Sequence, residues 1–402
     1  MVEIKGISAK AILDSRKEKT ISVSIKTNVG SFSASAPNGK SIGKHEIKSY
    51  KKSLDEDVRQ LKKFDDYFLK EEIEKFEDLR RIEDIVDGHI GANTLFAFES
   101  AILKALAKEQ KKEIWQLINP KARLFPRLVG NCIGGGKHSA SAPRAYPEKF
   151  SLKIFTEGNK KPDFQEFHLI PNFKSVKKSF EANQVAKKEI KEILNMFDKK
   201  FKSETNDENA WKVSLNDKEV LDILKKVHLP IGLDVAASSF CKRKNYNYKN
   251  PMLKRTKEEQ LGYLSNLIKN FKIFYIEDGF DEEDFESFAK LLKKFPESLI
   301  VGDDLIVTNY KRLQKAIEFK SVNAIIVKPN QCGSLLEVAK VCELAKEHKI
   351  KLVFSHRSGE TNESILADLA FGFGADFFKC GIDGKEREVK LKRLIEIEES
   401  LK

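Results

Sequence analysis

The chain has 402 residues, 41% hydrophobic and 33% charged, which is enough apolar material for more than one core and excludes a disordered or fibrous protein. Its 73 Lys+Arg against 61 Asp+Glu leave a net charge of +12 and a pI near 9.1. Basic and acidic residues are interleaved, as in KKSLDEDVRQLKKF (residues 51–64), so the excess reads as a solvated surface and argues against a nucleic-acid partner.

No apolar run approaches a membrane span; even residues 366–378 are interrupted by Asp368 and Asp376. The start MVEIKGISAK lacks the apolar core of a secretory signal. Cys132, Cys241, Cys332, Cys342 and Cys380 are scattered without a CxxC, so reduced thiols in a cytoplasmic protein are expected, and a zinc site is not.

Residues 21–37 alternate apolar and polar side chains around a turn at Asn28 and Gly30, the pattern of strands. Helical periodicity follows and ends in TLFAFESAILKALAKEQ (residues 94–110), whose apolar positions share one broad face. A sheet followed by helices predicts an α+β cap domain over residues 1–123, with a second domain over 124–402.

In that second part, short apolar runs each close on an ionisable residue: Asp234, Glu277, Asp303, Lys328, His356 and Lys379. From Glu277 onward these residues are 23 to 28 apart, about one strand, one helix and two loops. Residues 281–295 read as a helix with Asp281 as N-cap and with Phe285, Phe288, Leu292 and Phe295 on one face. Residues 334–349 read as another helix, opening with Ser334 and Glu337 at capping-box spacing. Apolar strands alternating with amphipathic helices mean a parallel sheet buried on both sides, here a closed barrel whose strand-end residues face one mouth.

Asp234, Glu277 and Asp303 are then three carboxylates converging from consecutive strands, and their mutual repulsion calls for a cation. An all-oxygen set without Cys or His suits a hard ion, Mg²⁺ best of all; pairing of each acid with a lysine is the other reading. Lys328 and Lys379 face the same mouth, where burial and a neighbouring dication lower a lysine's pKa and make it a candidate base. LVFSHRSGET (residues 352–361) adds a histidine, a guanidinium and a hydroxyl at one strand end, a donor cluster suited to an anionic substrate.

These residues resemble the enolase family (phosphopyruvate hydratase), and the likeness runs nearly end to end. AKAILDSR (residues 9–16) is similar to its N-terminal signature and PNGKSIGKHE (residues 37–46) to its serine-bearing loop. GANTLFAFESAILKALA, QEFHLIP, IGLDVAASSF, IEDGFDEED, GDDLIVTN, VKPNQCGS and SHRSGET continue the likeness through the barrel.

The resemblance implies an enolase-type α/β fold, an N-terminal α+β cap followed by a (β/α)8-like barrel with an irregular start. It implies reversible dehydration of 2-phosphoglycerate to phosphoenolpyruvate, a step of glycolysis and gluconeogenesis, with two Mg²⁺ ions per active site in a homodimer or larger homo-oligomer. By position, Asp234, Glu277 and Asp303 resemble the ligands of the tighter Mg²⁺, and Ser41 the residue that closes over the second. Lys328 stands where the family has its base, and Glu208 where it has its acid, with Glu166 beside it. Lys379 resembles the lysine that holds the substrate carboxylate, Gln331 a neighbour of the base, and Arg357 with Ser358 the phosphate clamp. His138 and His356 resemble polar contacts around the reacting carbons and phosphate.

The sequence also departs from the family. The glycine-rich acid turn is here Asn206-Asp207-Glu208-Asn209-Ala210, whose side chains restrict the backbone. Gly134 stands where asparagine is common, Ser239 where glutamate is common, and Gly279 and Pro329 replace the family's usual neighbours of functional positions. An insertion, residues 139–163, adds three prolines. These departures motivate an alternative: an enolase-derived binding or structural protein with weak or no catalysis.

Overall fold

The computed structural model describes residues 1–40, 43–69, 71–136 and 161–402. Ser41, His138 and most of the insertion therefore lie outside the described residues.

The alternating N-terminal pattern folds into β1 (Val2–Leu13), β2 (Lys19–Thr27) and β3 (Gly30–Ser35), joined by β4 (Glu72–Ile73) in an antiparallel sheet of order β3-β2-β1-β4. One face of β2 buries Ile21, Val23 and Ile25. The helix Ala92–Gln110 packs against β2 and β3 and also touches the helix Pro329–Cys332 of the second half. Covered from both sides, it buries Phe96, Phe98, Ile102 and Leu106. Its N-terminus is held by the buried Asp57 carboxylate, which accepts from the Gly91 N–H at 2.8 Å and the Thr94 hydroxyl at 2.6 Å.

The remaining strands are β5 (Arg127–Gly134), β6 (Glu166–Leu169), β7 (Trp211–Lys212), β8 (Ile231–Asp234), β9 (Cys241–Lys242), β10 (Asn245–Lys249), β11 (Met252–Arg255), β12 (Tyr275–Glu277), β13 (Leu299–Gly302), β14 (Ala324–Val327), β15 (Lys351–Ser355) and β16 (Phe377–Lys379). Eight of them close a barrel in the order β5-β6-β8-β12-β13-β14-β15-β16, with β16 pairing back to β5. β6 runs antiparallel to both β5 and β8, which is the irregular start the resemblance implies. From β8 round to β5 the neighbours are parallel. Alternate side chains fill the interior, where Val129, Tyr275, Val301, Ile326, Val353 and Phe377 form one cluster. Their neighbours Ile276, Ile300, Val327 and Phe354 turn outward into the core shared with the helices.

Two details of the helical reading change. The helix after β12 is Phe285–Lys294, and its N-cap is Asp284, whose side chain accepts from the Ser287 N–H. Asp281 instead closes the preceding turn, accepting from the Glu283 N–H at 3.1 Å, so the cap shifts three residues downstream. The buried face is Phe285, Phe288 and Leu291, with Leu292 at its margin. Ser334 does cap the helix Leu335–Glu347, accepting from the Glu337 N–H at 2.9 Å.

Candidate active site

Strand register explains how the acids meet. Glu166, Asp234 and Glu277 are direct partners across β6, β8 and β12, so their side chains leave the barrel on the same side at neighbouring strand ends. All three close on one ammonium: Lys379 Nζ lies 3.0 Å from Asp234 Oδ2, 2.8 Å from Glu277 Oε1 and 3.1 Å from Glu166 Oε2. Asp303, one residue beyond β13, instead pairs with Lys328, one residue beyond β14. Every strand-end residue singled out in the sequence reaches this mouth or its rim. The lysine pairing that was the other reading of the acids is thus formed.

That pairing leaves the acids under-neutralised. Burial, then the Asp234 charge, pushes the Glu277 carboxyl well above its ordinary range. Burial also raises Asp234, with Glu166 adding to it against the pull of Lys379. Lys379 is held well above its ordinary value because the surrounding carboxylates outweigh its burial. One ammonium does not balance Asp234, Glu277 and Glu166, so excess negative charge remains on an oxygen-only set whose chemistry suits a hard divalent cation.

Lys328 departs from expectation. Burial does pull its pKa down, but Asp303 outweighs burial and the net shift is upward. Asp303 correspondingly falls below its ordinary value, Lys328 overcoming the effect of burial. The Lys328 backbone N–H is held by Thr308 Oγ1 at 2.9 Å, and the same hydroxyl donates to Gln331 Oε1 at 2.8 Å. Val307 and Thr308 adopt left-handed backbone, φ 48° and 51°. For β-branched residues such strain costs about 1–3 kcal/mol each, and it places the Thr308 hydroxyl at the base of Lys328.

Glu208 projects from the 206–210 turn into the same cleft. Its Oε2 accepts from Asn131 Nδ2 at 3.1 Å and lies 3.6 Å from His356 Nε2. Burial, then Arg387, drives the His356 pKa well below its ordinary value, so the ring is neutral. The buried His168 behaves alike, lowered to about 3 by burial and Lys379.

At the end of β15 lie Arg357 and Ser358. Ser358 Oγ accepts from the Lys40 N–H at 2.8 Å and from Arg16 at 3.1 Å. The Arg357 guanidinium contacts both Glu46 oxygens, at 3.2 and 3.0 Å, and Asn330 Oδ1 at 3.3 Å. A Cβ on Gly39 would sit 1.9 Å from that guanidinium, so a side chain there would push the Arg357 tip aside. Lys40, Gln165, Glu208, Lys328, Arg357 and Lys379 are among the residues lining the resulting cleft.

Sequence reasoning missed Glu46, Thr308, Asp278 and Asp304. Asp278, Asp303 and Asp304 bring carboxylate oxygens within 4.8 Å of one another. Asp278 accepts the N–H groups of Asp303 and Asp304 at 2.9 and 2.7 Å, so it braces the loop that carries them. The doubled acids in IEDG and GDD were the available signal.

Fold and site together define a two-part barrel enzyme with acids, lysines, a histidine and a guanidinium at the C-terminal strand ends. Residues 156–402 match the family model described as "Enolase, C-terminal TIM barrel domain". The chain is 35% identical to the enolase of Methanosphaera stadtmanae, over 99% of this chain and 97% of that one. It is 33% identical to the enolase of Picrophilus torridus, over 99% of each, and 34% identical to that of Pyrobaculum aerophilum, over 94% and 91%. The chain belongs to the enolase family, whose members are lyases.

Proposed function

We propose that the protein interconverts 2-phosphoglycerate and phosphoenolpyruvate, with Lys328 as base, Glu208 as acid and two Mg²⁺ ions as cofactors. The observation that carries this reading is one cleft lined by Lys328, Glu208, Arg357 and Ser358 together. Lys328 Nζ takes the proton from C2, leaving an electron pair that spreads over the substrate carboxylate. That pair then forms the C2–C3 double bond as the C3–O bond breaks, and Glu208 gives its proton to the departing hydroxide, which leaves as water. When bound, Mg²⁺ supplies positive charge at the substrate carboxylate, where the dianion develops. Asp234, Glu277 and Asp303 would hold the tighter ion, with Ser41 assigned to the second by the resemblance alone, and Lys379 would meet the substrate carboxylate.

What favours this over the binding-protein alternative is the 206–210 turn, which presents its carboxylate to the cleft despite its altered sequence. Phosphoenolpyruvate formation from 2-phosphoglycerate, followed by absorbance, tests the assignment. A chelator is expected to abolish the signal and added Mg²⁺ to restore it. Full activity in metal-free buffer sinks the proposal, since the excess carboxylate charge has no other counter-ion.

The clamp gives a second test. Arg357→Lys keeps the charge but replaces a planar fork with a point donor, so KM for 2-phosphoglycerate is expected to rise by about tenfold, one charge-assisted hydrogen bond. An unchanged KM means that Arg357 serves only to hold Glu46 and Asn330.

A further inference from the structure

The turn that carries Glu208 is held by side chains. Asn206 is 7% exposed, and its Oδ1 accepts two N–H groups at once, from Glu208 and Ala210, each at 2.9 Å. Its backbone closes the same turn, donating to Ala210 O at 2.9 Å and accepting from Asn209 N at 3.0 Å. Asn209 takes the left-handed conformation, φ 60°, which asparagine tolerates better than most residues. Its Nδ2 donates to Asp383 O at 3.3 Å, and Lys187 joins the Asn209 carbonyl to the Asp383 carboxylate.

The Asn206 carboxamide also needs space, and Gly134 provides it. Gly134 ends β5 directly opposite Glu166, and a Cβ there would stand 2.2 Å from Asn206 Nδ2. Any side chain at 134 therefore displaces the carboxamide, and displacing it breaks both Oδ1 bonds to the turn.

We propose that Asn206, seated against Gly134, is a positioning residue that fixes the backbone of the acid turn and so aims the Glu208 carboxylate into the cleft. The proposal rests on the reading of Glu208 as the acid. It assigns the two departures, asparagine at 206 and glycine at 134, to one fitted contact. The turn is thus pre-set by a carboxamide and does not depend on glycine freedom at 206.

The test separates proton removal from dehydration. Asn206→Ala is expected to lower kcat for dehydration by about 10- to 100-fold, the usual effect of a misaimed catalytic group. Exchange of the C2 hydrogen in deuterated water, followed by NMR, stays at the wild-type rate, because Lys328 is held by Asp303 and Thr308 and not by the 206–210 turn. Asn206→Asp keeps the acceptor oxygen and retains dehydration within about threefold of wild type, one weak hydrogen bond's worth. It thereby decides the matter should the alanine variant fail to fold. Gly134→Ala reproduces the Asn206→Ala defect, and in the Asn206→Ala background it adds nothing, since the clashing atom is gone. Additive effects of the two substitutions overturn the proposal, as does a parallel loss of exchange and dehydration. Normal dehydration in Asn206→Ala alongside a crippled Glu208→Gln also overturns it. Near wild-type dehydration by Glu208→Gln instead removes the acid assignment beneath it.

Discussion

Lys328→Ala is expected to lose both dehydration and exchange of the C2 hydrogen, by at least the roughly 10²–10⁴-fold that a general base contributes. The other lysine at the mouth, Lys379, is committed to Asp234, Glu277 and Glu166 and held protonated by them. His356 is neutral but lies beside Glu208. No other group among the described residues combines the position and the basicity to take that proton. The raised pKa of Lys328 sets the sign of the pH dependence. The ammonium form cannot accept a proton, so activity rises with pH as Lys328 deprotonates, and Asp303 opposes this as its counter-charge. A cation engaging Asp303 relieves that opposition. Substantial exchange in Lys328→Ala, measured by NMR in deuterated water, removes the lysine from its role.

The parts of the site that the sequence displays are those fixed by strand periodicity. Asp234, Glu277, Asp303, Lys328, His356 and Lys379 each end an apolar run, and a barrel forces such ends to one mouth. Which lysine meets which acid is another matter. Lys379 joins Asp234 from 145 residues away, and Lys328 joins Asp303 from 25, distances set by closure of the β16–β5 seam and by side-chain reach. The direction of the Lys328 shift was lost for the same reason, since it follows from the partner and not from burial alone. Thr308 and Asp278 escaped notice because their work depends on left-handed backbone, φ 51° and 45°, that no β-branched residue or non-turn aspartate advertises. Glu46 meets Arg357 only across the cap–barrel boundary. The helix after β12 shows a finer limit. Asp281 and Asp284 are both good capping residues three apart, and only the turn between them decides which one caps.

Glu208→Gln separates the second half of the reaction from the first. Glutamine keeps the shape of the side chain and, through its carbonyl, the bond from Asn131 Nδ2 at 3.1 Å, but it has no proton to give. Dehydration is therefore expected to fall by about 10²–10⁴-fold, while exchange of the C2 hydrogen continues because Lys328 is untouched. The surroundings of Glu208 suit a donor of this kind. It is buried, and the histidine 3.6 Å away is neutral. Glu166, the other carboxylate of this cleft, has Lys379 at 3.1 Å as an ion-pair partner. Dehydration by Glu208→Gln at near wild-type rate, read from phosphoenolpyruvate absorbance, transfers the acid role to Glu166 despite that ammonium. Loss of exchange together with dehydration in Glu208→Gln means that Glu208 also acts before the C2 proton leaves, and the two-residue division of labour fails.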